Sequence, residues 1–349
     1  MIRIGIIGTG DMANQHASAF NAIRSCRVTA CADIVPGKAA AFAARHEVSA
    51  AYESADDMLD HENLDGVSVV TIDSAHAPAA LAAIRRKIHV MCEKPLADNL
   101  ADARKMFAAA KAAGVLTAVN FSYRNRPATQ KAARMVASGL LGEIRHVEGN
   151  YLQHWLAGDW RSDPSLLWRL STRHGSAGVL GDIGIHLLDI VTFVAGEIAA
   201  LACDLTVFDK GVKKIGKYVL DANDSMSALV RFRSGARGTL NATRWARGHG
   251  NTVALRVYGT KGAIDLDLDR PDSTALKICT GQDADLMKWR PLKWIPVRCP
   301  PVPNQQERFV QAIRTGRQGA AGFEAGLNMQ AGLEACFKSA REGGSWITA

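Results

Sequence analysis

Along the first third of the chain, short apolar runs alternate with longer amphipathic, alanine-rich stretches. Ile2 to Ile7 reads as a strand and Asp11 to Ser25 as a helix. Val28 to Ala32 reads as a second strand, ending at Asp33, and Ala39 to Arg45 as a second helix. The alternation continues with a strand from Val67 to Ile72, a helix from Pro78 to Arg86 and a strand from Ile88 to Cys92. A helix from Leu100 to Ala113, stopped by Gly114, and a strand from Val115 to Val119 complete it. The strand segments are continuous apolar runs, not alternating ones. That is the pattern of parallel strands covered on both faces, and helices between them imply a doubly wound sheet.

After Asn120 the pattern changes. One more helix is predicted over Ala128 to Ser138, and then period-two alternation takes over from Glu143. Ser227 to Arg233 and Arg237 to Thr243 flank Ser234-Gly235 and read as a hairpin. Thr252 to Tyr258 and Ala263 to Leu268 flank Gly259-Thr260-Lys261-Gly262 and read as another. Leu276 to Cys279 and Trp294 to Arg298 are further strand candidates. Past the Pro300-Pro301-Val302-Pro303 break, Asn304 to Thr315 and Glu324 to Arg341 read as helices. The fold class is therefore α/β: a parallel N-terminal domain over 1–120, then an α+β domain over 121–349 built on a large, open, mainly antiparallel sheet, its C-terminal helices expected to pack back toward the interdomain region.

Composition narrows the picture. A chain of 349 residues, 48% of them hydrophobic, suits two domains with substantial cores. The net charge of +8 raises a nucleic-acid reading, but the basic residues are scattered and form no block, so none is expected. A basic surface suits an anionic cofactor and substrate equally well. The seven cysteines are odd in number and contain no C-x-x-C pair, as reduced thiols in a cytoplasmic protein would be. With no signal-like leader and no bilayer-length apolar stretch, a cytoplasmic protein with no membrane partner is expected.

The first chemical signal is Gly8-Thr9-Gly10-Asp11-Met12-Ala13, lying between the first strand and the first helix. In such a turn Gly8 permits the bend, Gly10 lets a pyrophosphate approach the backbone, and Ala13 lets helix and sheet pack closely. The helix N-terminus offers unpaired N–H groups to the phosphates. Asp33 ends the second strand, about 20 residues on, where a carboxylate binds the ribose hydroxyls. A carboxylate there repels a 2′-phosphate, and the next residue is Ile34, not arginine. NAD is the expected cofactor and NADP the alternative. Asp33 could instead serve only the turn before Pro36-Gly37.

The second signal is Glu93-Lys94-Pro95, which puts Lys94 at the carboxyl end of a parallel strand, where ligands bind. The third is Gly181-Asp182-Ile183-Gly184-Ile185-His186-Leu187-Leu188-Asp189. On a helix, Asp182, His186 and Asp189 lie near one face, and Asp182 can bond one imidazole nitrogen while the other meets a substrate hydroxyl. A metal is not expected, because no third ligand stands at matching spacing.

Together these motifs resemble the Gfo/Idh/MocA oxidoreductases, the family of glucose–fructose oxidoreductase and inositol dehydrogenase. The resemblance rests on the G-x-G-x-x-A turn, Asp33, Glu93-Lys94-Pro95 and Asp182-x-x-x-His186. It extends to the region of Phe309, Gly326-Leu327 and Ser339-Ala340. It implies a Rossmann domain followed by an open-sheet domain, NAD(P)-linked hydride transfer at a sugar, inositol or related carbinol, and homodimers or homotetramers packed through the sheet. It also implies that Lys94, Asp182 and His186 line the site beside the nicotinamide. Ile72-Asp73-Ser74-Ala75-His76 stands where Thr-Pro-Asn-x-x-His is typical, which places Ile72 and His76, with Glu93, among the cofactor-binding residues.

On this reading His186 is the general base and Lys94 stabilises the developing oxyanion; the reverse assignment needs only a lysine made more acidic by burial. Substrate recognition is expected from Tyr123, Arg124, Trp155, Trp168, Arg169 and His174, together with Asp182 and His186. Tryptophans stack on sugar faces and arginines grip acidic groups. Two other functions stay open. One is an NAD-dependent glycoside hydrolase that oxidises a ring hydroxyl transiently; the other is a non-catalytic nucleotide sensor.

Overall fold

The computed structural model describes residues 1–281, 286–319 and 321–349. The chain divides into two compact units. The first comprises Met1–Ser122 and Pro303–Gln330, the second Tyr123–Val302 and Ala331–Ala349.

In the first unit, β1 (Ile2–Ile7), α1 (Asp11–Asn21), β2 (Cys26–Ala32), α2 (Lys38–His46) and β3 (Ala50–Tyr52) form one half. The other half is α3 (Ala55–His61), β4 (Gly66–Val69), α4 (Asp73–Arg85), β5 (His89–Cys92), α5 (Leu100–Ala113) and β6 (Thr117–Val119). The six strands run parallel in the order β3-β2-β1-β4-β5-β6. That is the doubly wound Rossmann order, and its chain reversal between β1 and β4 is where such sheets bind ligands. Ile4, Ile6, Val28, Val67, Val90 and Met91 are at most 1% exposed, which accounts for the unbroken apolar runs.

Two local features differ from the sequence pattern. α4 begins at Asp73, not at Pro78, so the proline sits inside it. Losing one helical bond at Pro78 is outweighed by burial of His76, Ala77 and Ala80 on the same face. β3 and α3 are too short to give a periodic signal; Ser54 caps α3 by accepting from the Asp57 amide at 3.2 Å.

Near the C-terminus, α8 (Gln305–Thr315) starts in a capping box between Asn304 and Glu307. It packs on α1 through an edge contact of Phe309 with Phe20, 6.4 Å between ring centres. Gln318 then brackets the exposed edge at β6. Its Nε2 donates to the Thr117 carbonyl at 2.6 Å, and its Oε1 accepts from the Thr117 amide at 2.9 Å. So 303–330 belongs with the Rossmann strands, whereas a linear division at residue 120 assigns it to the second domain. α9 (Phe323–Arg341) starts in the first unit and ends in the second.

The second unit begins with α6 (Pro127–Ala137) and β7 (Ile144–Leu152) and has α7 (Ile185–Ala195) ahead of β8 (Ile198–Thr206). A two-strand hairpin follows, β9 (Lys214–Ile215) and β10 (Tyr218–Val219). The strands β11 (Ser225–Phe232), β12 (Arg237–Thr243), β13 (Thr252–Gly259), β14 (Ala263–Asp267), β15 (Leu276–Cys279), β16 (Ile295–Pro296) and β17 (Ile347–Thr348) complete it. Nine strands make one sheet in the order β16-β15-β14-β13-β7-β12-β11-β8-β17. Every neighbouring pair is antiparallel except β7 with β12, which is parallel. β11 alternates buried Met226, Ala228, Val230 and Phe232 with exposed Ser227, Leu229 and Arg231, so one face of this sheet is covered and the other open. Among the described residues no helix is long and apolar enough to cross a membrane.

Candidate functional site

In the first unit the nucleotide turn is built as its glycines require. Gly8 has φ of +89°, and a Cβ there would lie 2.7 Å from the Val70 carbonyl oxygen. Nothing lies within 4 Å of a Cβ built on Gly10. That open space adjoins the N-terminus of α1, where Gly10 is the cap residue and no side chain occupies the amides. Asp11 and Met12 open the helix exposed to solvent, while Ala13 is fully buried. These features fit a pyrophosphate: close backbone, free amides and the positive end of a helix.

Asp33 stands beside this turn. Its Oδ2 accepts from both the amide and the hydroxyl of Thr9, each at 2.8 Å, and its Oδ1 accepts from the Val35 amide at 2.9 Å. Burial works to raise its carboxyl, but the Val35 and Thr9 hydrogen bonds and the charge of Lys38 outweigh that and hold it below its ordinary value. Asp33 thus serves the turn at Val35 and also keeps an ionised carboxylate at the end of β2. Ile34 and Ile72 are 86% and 72% exposed, at the carboxyl ends of β2 and β4.

The Glu93-Lys94 segment is anchored from below. Glu93 Oε1 accepts from His16 Nε2 at 2.8 Å and from Asn120 Nδ2 at 2.5 Å, and Oε2 accepts from the Lys94 amide at 3.2 Å. His16 Nδ1 lies 2.8 Å from Ser68 Oγ. Burial would raise the Glu93 carboxyl. The hydrogen bond and charge of His16, the Asn120 amide and the charge of Lys94 instead bring it down to about 2. One buried carboxylate therefore ties α1 to the carboxyl ends of β5 and β6, directly under Lys94. His16 and Asn120 carry no local sequence signal that would mark them; only the parallel strand order brings them together.

His76 is fully buried, with Nδ1 2.8 Å from the Pro95 carbonyl oxygen and Nε2 3.1 Å from that of Thr71. It braces the loops after β4 and β5. Glu93 and His76, expected among the cofactor-binding residues, therefore take structural hydrogen bonds within the unit.

In the second unit Asp182 lies on a π-helical turn, Leu180–Gly184, that leads directly into α7. Such turns recur at functional sites because the wider turn re-aims side chains. This one is clamped at its start by Asn223. The Leu180 amide donates to Asn223 Oδ1 at 3.0 Å, the Val179 amide to the Asn223 carbonyl at 2.8 Å, and Asn223 Nδ2 to the Ala177 carbonyl at 3.2 Å. Gly178 makes that approach possible, with φ of +69° and the Asn223 amide nitrogen 2.3 Å from where a Cβ would stand.

Asp182 Oδ2 accepts from Arg244 Nη2 at 2.9 Å and lies 3.7 Å from Arg169 Nε. His186 is 7% exposed and meets the ring of Tyr123 edge-on at 5.1 Å between centres, with Tyr151 at 6.4 Å. Tyr123, Tyr151 and Asn251 form a hydrogen-bonded group. The two hydroxyls are 2.8 Å apart, and Asn251 Nδ2 donates to Tyr123 at 2.7 Å. Burial, then the neighbouring Tyr123, pushes the Tyr151 hydroxyl well above its ordinary value.

Asp189, read on one helix face with Asp182 and His186, has a partner of its own. Asp189 is buried and takes the Arg124 guanidinium, whose Nε donates to both carboxylate oxygens at 3.1 Å. Arg124, expected to bind substrate, is buried in this pair and also lies over the Phe193 ring, 4.8 Å from its centre.

The remaining recognition residues stand as follows. Arg169 lies over the Trp168 ring at 4.6 Å, and Trp168 is 40% exposed. Trp155 donates to Gln153 Oε1 at 3.0 Å and has the Arg244 guanidinium 5.1 Å from its ring centre. His174 Nδ1 is 3.0 Å from Ser171 Oγ, and its ring tilts against Tyr218. Arg244, Tyr151 and Asn251 escape the sequence analysis. Each sits on or beside a sheet strand with no motif of its own. Among the described residues no group of three His, Cys, Asp or Glu is placed to hold a metal ion.

Comparison with known proteins agrees with this architecture. Residues 2–121 match the model of the oxidoreductase family NAD-binding Rossmann fold, and residues 129–265 match the GFO/IDH/MocA C-terminal domain. Levoglucosan dehydrogenase of Pseudarthrobacter phenanthrenivorans is 29% identical over 306 residues, covering 80% of this chain and 77% of that protein. The 1,5-anhydro-D-fructose reductase of Ensifer adhaerens is 30% identical over 272 residues, covering 76% of this chain and 75% of that protein. Among solved structures, a levoglucosan dehydrogenase in complex with NADH and levoglucosan superposes with a TM-score of 0.88 at 27% identity, covering 99% of both chains. A Rossmann sheet with a phosphate-ready turn, an ionised Asp33 and matches across both units lead to one conclusion: the chain belongs to the Gfo/Idh/MocA family of NAD-binding oxidoreductases.

Proposed function

We propose that this enzyme transfers a hydride between NAD and a secondary alcohol of a sugar, sugar acid or inositol. The observation that carries the reading is the His186 environment. A buried imidazole packs against two tyrosine rings that also touch each other, and one turn before it Asp182 is held by guanidinium groups. The dehydrogenase and reductase relatives support the substrate class.

In the oxidising direction the carbinol carbon gives up a hydride and its hydroxyl gives up a proton. NAD, when bound through the Gly8–Ala13 turn and Asp33, supplies the hydride acceptor. His186 takes the hydroxyl proton, and the Lys94 ammonium stabilises negative charge developing on that oxygen. Asp182 steadies the imidazole. Trp155, Trp168, Arg169, His174 and Tyr123 supply ring-stacking and polar contacts to the sugar, and Arg124 acts through Asp189 as a positioning residue.

The test is NADH absorbance with NAD and a panel of free sugars, sugar acids and inositols. NADH should accumulate with at least one of them, and His186→Ala should lower kcat by about 10²–10⁴. Near-normal turnover in that variant removes His186 from the reaction. We also propose a homodimer or homotetramer formed through the open sheet face, where Leu229 is 54% exposed and Arg231 lies over Trp346. Light scattering of Leu229→Arg against the parent protein tests it. All seven cysteines are free thiols, which supports a reducing, cytoplasmic setting.

A further inference from the structure

Behind Asp182 lie three further buried charges, Arg244, Asp224 and Lys210. Arg244 is fully buried. Its Nη2 donates to Asp182 Oδ2 at 2.9 Å, its Nη1 to the Arg169 carbonyl at 3.1 Å, and its amide to the Asp224 carbonyl at 3.1 Å. Asp224, also fully buried, accepts from Lys210 Nζ at 2.5 Å and from the Phe208 amide at 2.9 Å. Lys210 Nζ donates in addition to the Phe208 carbonyl at 3.1 Å. Arg169, Asp182 and Arg244 alternate in sign, and Asp224, joined to Arg244 through the backbone, pairs with Lys210.

Stability is a weak reason for such a cluster. Removing ions from water is costly, and apolar side chains of similar volume often serve a core as well or better. Within the Arg244–Asp182 pair the arginine side chain is 0% exposed and the carboxylate 30%. The buried end therefore acts on the accessible one. We propose that Arg244 is a positioning residue for proton transfer: it sets the charge balance and orientation of the Asp182 carboxylate, and the Arg169 and Asp224 carbonyls hold Arg244 in place. This rests on the roles proposed above for Asp182 and His186.

The physical consequence concerns His186. A lone carboxylate near an imidazole favours the imidazolium, which cannot accept a proton. Two guanidiniums on that carboxylate cancel part of its field. Among the described residues Tyr151 and Tyr123 are titratable groups beside Asp182 and His186, and Arg169 and Asp224 act on Arg244. Without the Arg244 charge, His186 should hold its proton to higher pH.

The experiment follows the His186 ring by NMR in ¹⁵N-histidine-labelled full chain between pH 5 and 9, assigned by the signal lost in His186→Ala. In the parent protein the midpoint should stay within the ordinary histidine range despite Asp182. A midpoint well above that range overturns the proposal without any variant, so a poorly folding variant does not block the test. Arg244→Met should raise the midpoint by about one unit, and Arg244→Lys should restore it. The acid limb of kcat/KM should move with the midpoint. A lowered Tm with an unmoved midpoint would mean that Arg244 only supports the fold. Asp182→Asn and His186→Ala separate the two readings. If both retain turnover, the proposed active site is wrong. If both lose it while Arg244→Met leaves the midpoint in place, only the role of Arg244 fails.

Discussion

Asp33 reaches back to the nucleotide turn and holds Thr9 by both its amide and its hydroxyl, each 2.8 Å from Oδ2. The residue that should meet the ribose also shapes the loop that should meet the phosphates. Asp33→Asn loses the ionised acceptor for both tasks. Hydrogen bonds to charged groups contribute about 1.5–3 kcal/mol, so KM for NAD should rise at least tenfold. The ratio of kcat/KM for NADP to that for NAD should rise too, because the repulsion of a 2′-phosphate is gone. Initial rates with both cofactors check this; an unchanged ratio would remove Asp33 from cofactor choice.

Glu93 links acid stability to the Lys94 strand. Its folded value, about 2, lies below the ordinary carboxyl value of 4.5, so the folded chain binds fewer protons at Glu93 than the unfolded chain does. The stabilisation is complete above pH 4.5 and is lost as pH falls toward 2. It amounts to about 3 kcal/mol by linkage. Urea midpoints measured from pH 6 down to 2.5 should fall steeply in the parent protein. In Glu93→Gln they should start lower and fall less.

The Arg124–Asp189 pair is fully buried, so removing either partner strands a charge in the core. Arg124→Ala or Asp189→Ala should each destabilise the chain by about 3–5 kcal/mol. Arg124→Met combined with Asp189→Leu should cost less than either alone. Denaturant titration of the three variants decides it; additive losses would show that the two groups are not coupled.

Gly178→Ala puts a methyl group 2.3 Å from the Asn223 side chain at a left-handed backbone position. The clamp on the Asp182 turn should open. Tm should fall by several degrees, and kcat should fall while the affinity for NAD, measured by fluorescence quenching, stays near that of the parent. Equal losses in kcat and NAD affinity would mean that the damage is not confined to this turn.

Much of the fold was legible because local chemistry repeats. Continuous apolar runs mark the parallel strands, and glycine turns mark the hairpins β11–β12 and β13–β14. The short segment of β3 and α3 was not legible, since neither element is long enough to show a period. That the C-terminal helices pack back was expected, but the membership of 303–330 in the Rossmann unit was hidden, because Gln318 replaces a strand partner for Thr117 by side-chain bonds that leave no pattern.

The sequence by itself determined the nucleotide turn, the carboxylate at the end of β2 and the positions of Lys94, Asp182 and His186. Each of these depends on spacing within a few residues of a strand or helix end. Only the tertiary structure decided what surrounds them. His16 and Asn120 meet Glu93 from 77 and 27 residues away, and Arg244 meets Asp182 across 62. It also decided that Arg124 is spent on Asp189. A buried charge takes whichever partner the packed core brings within reach, and that choice is made by strand order and helix packing, not by neighbours in the chain.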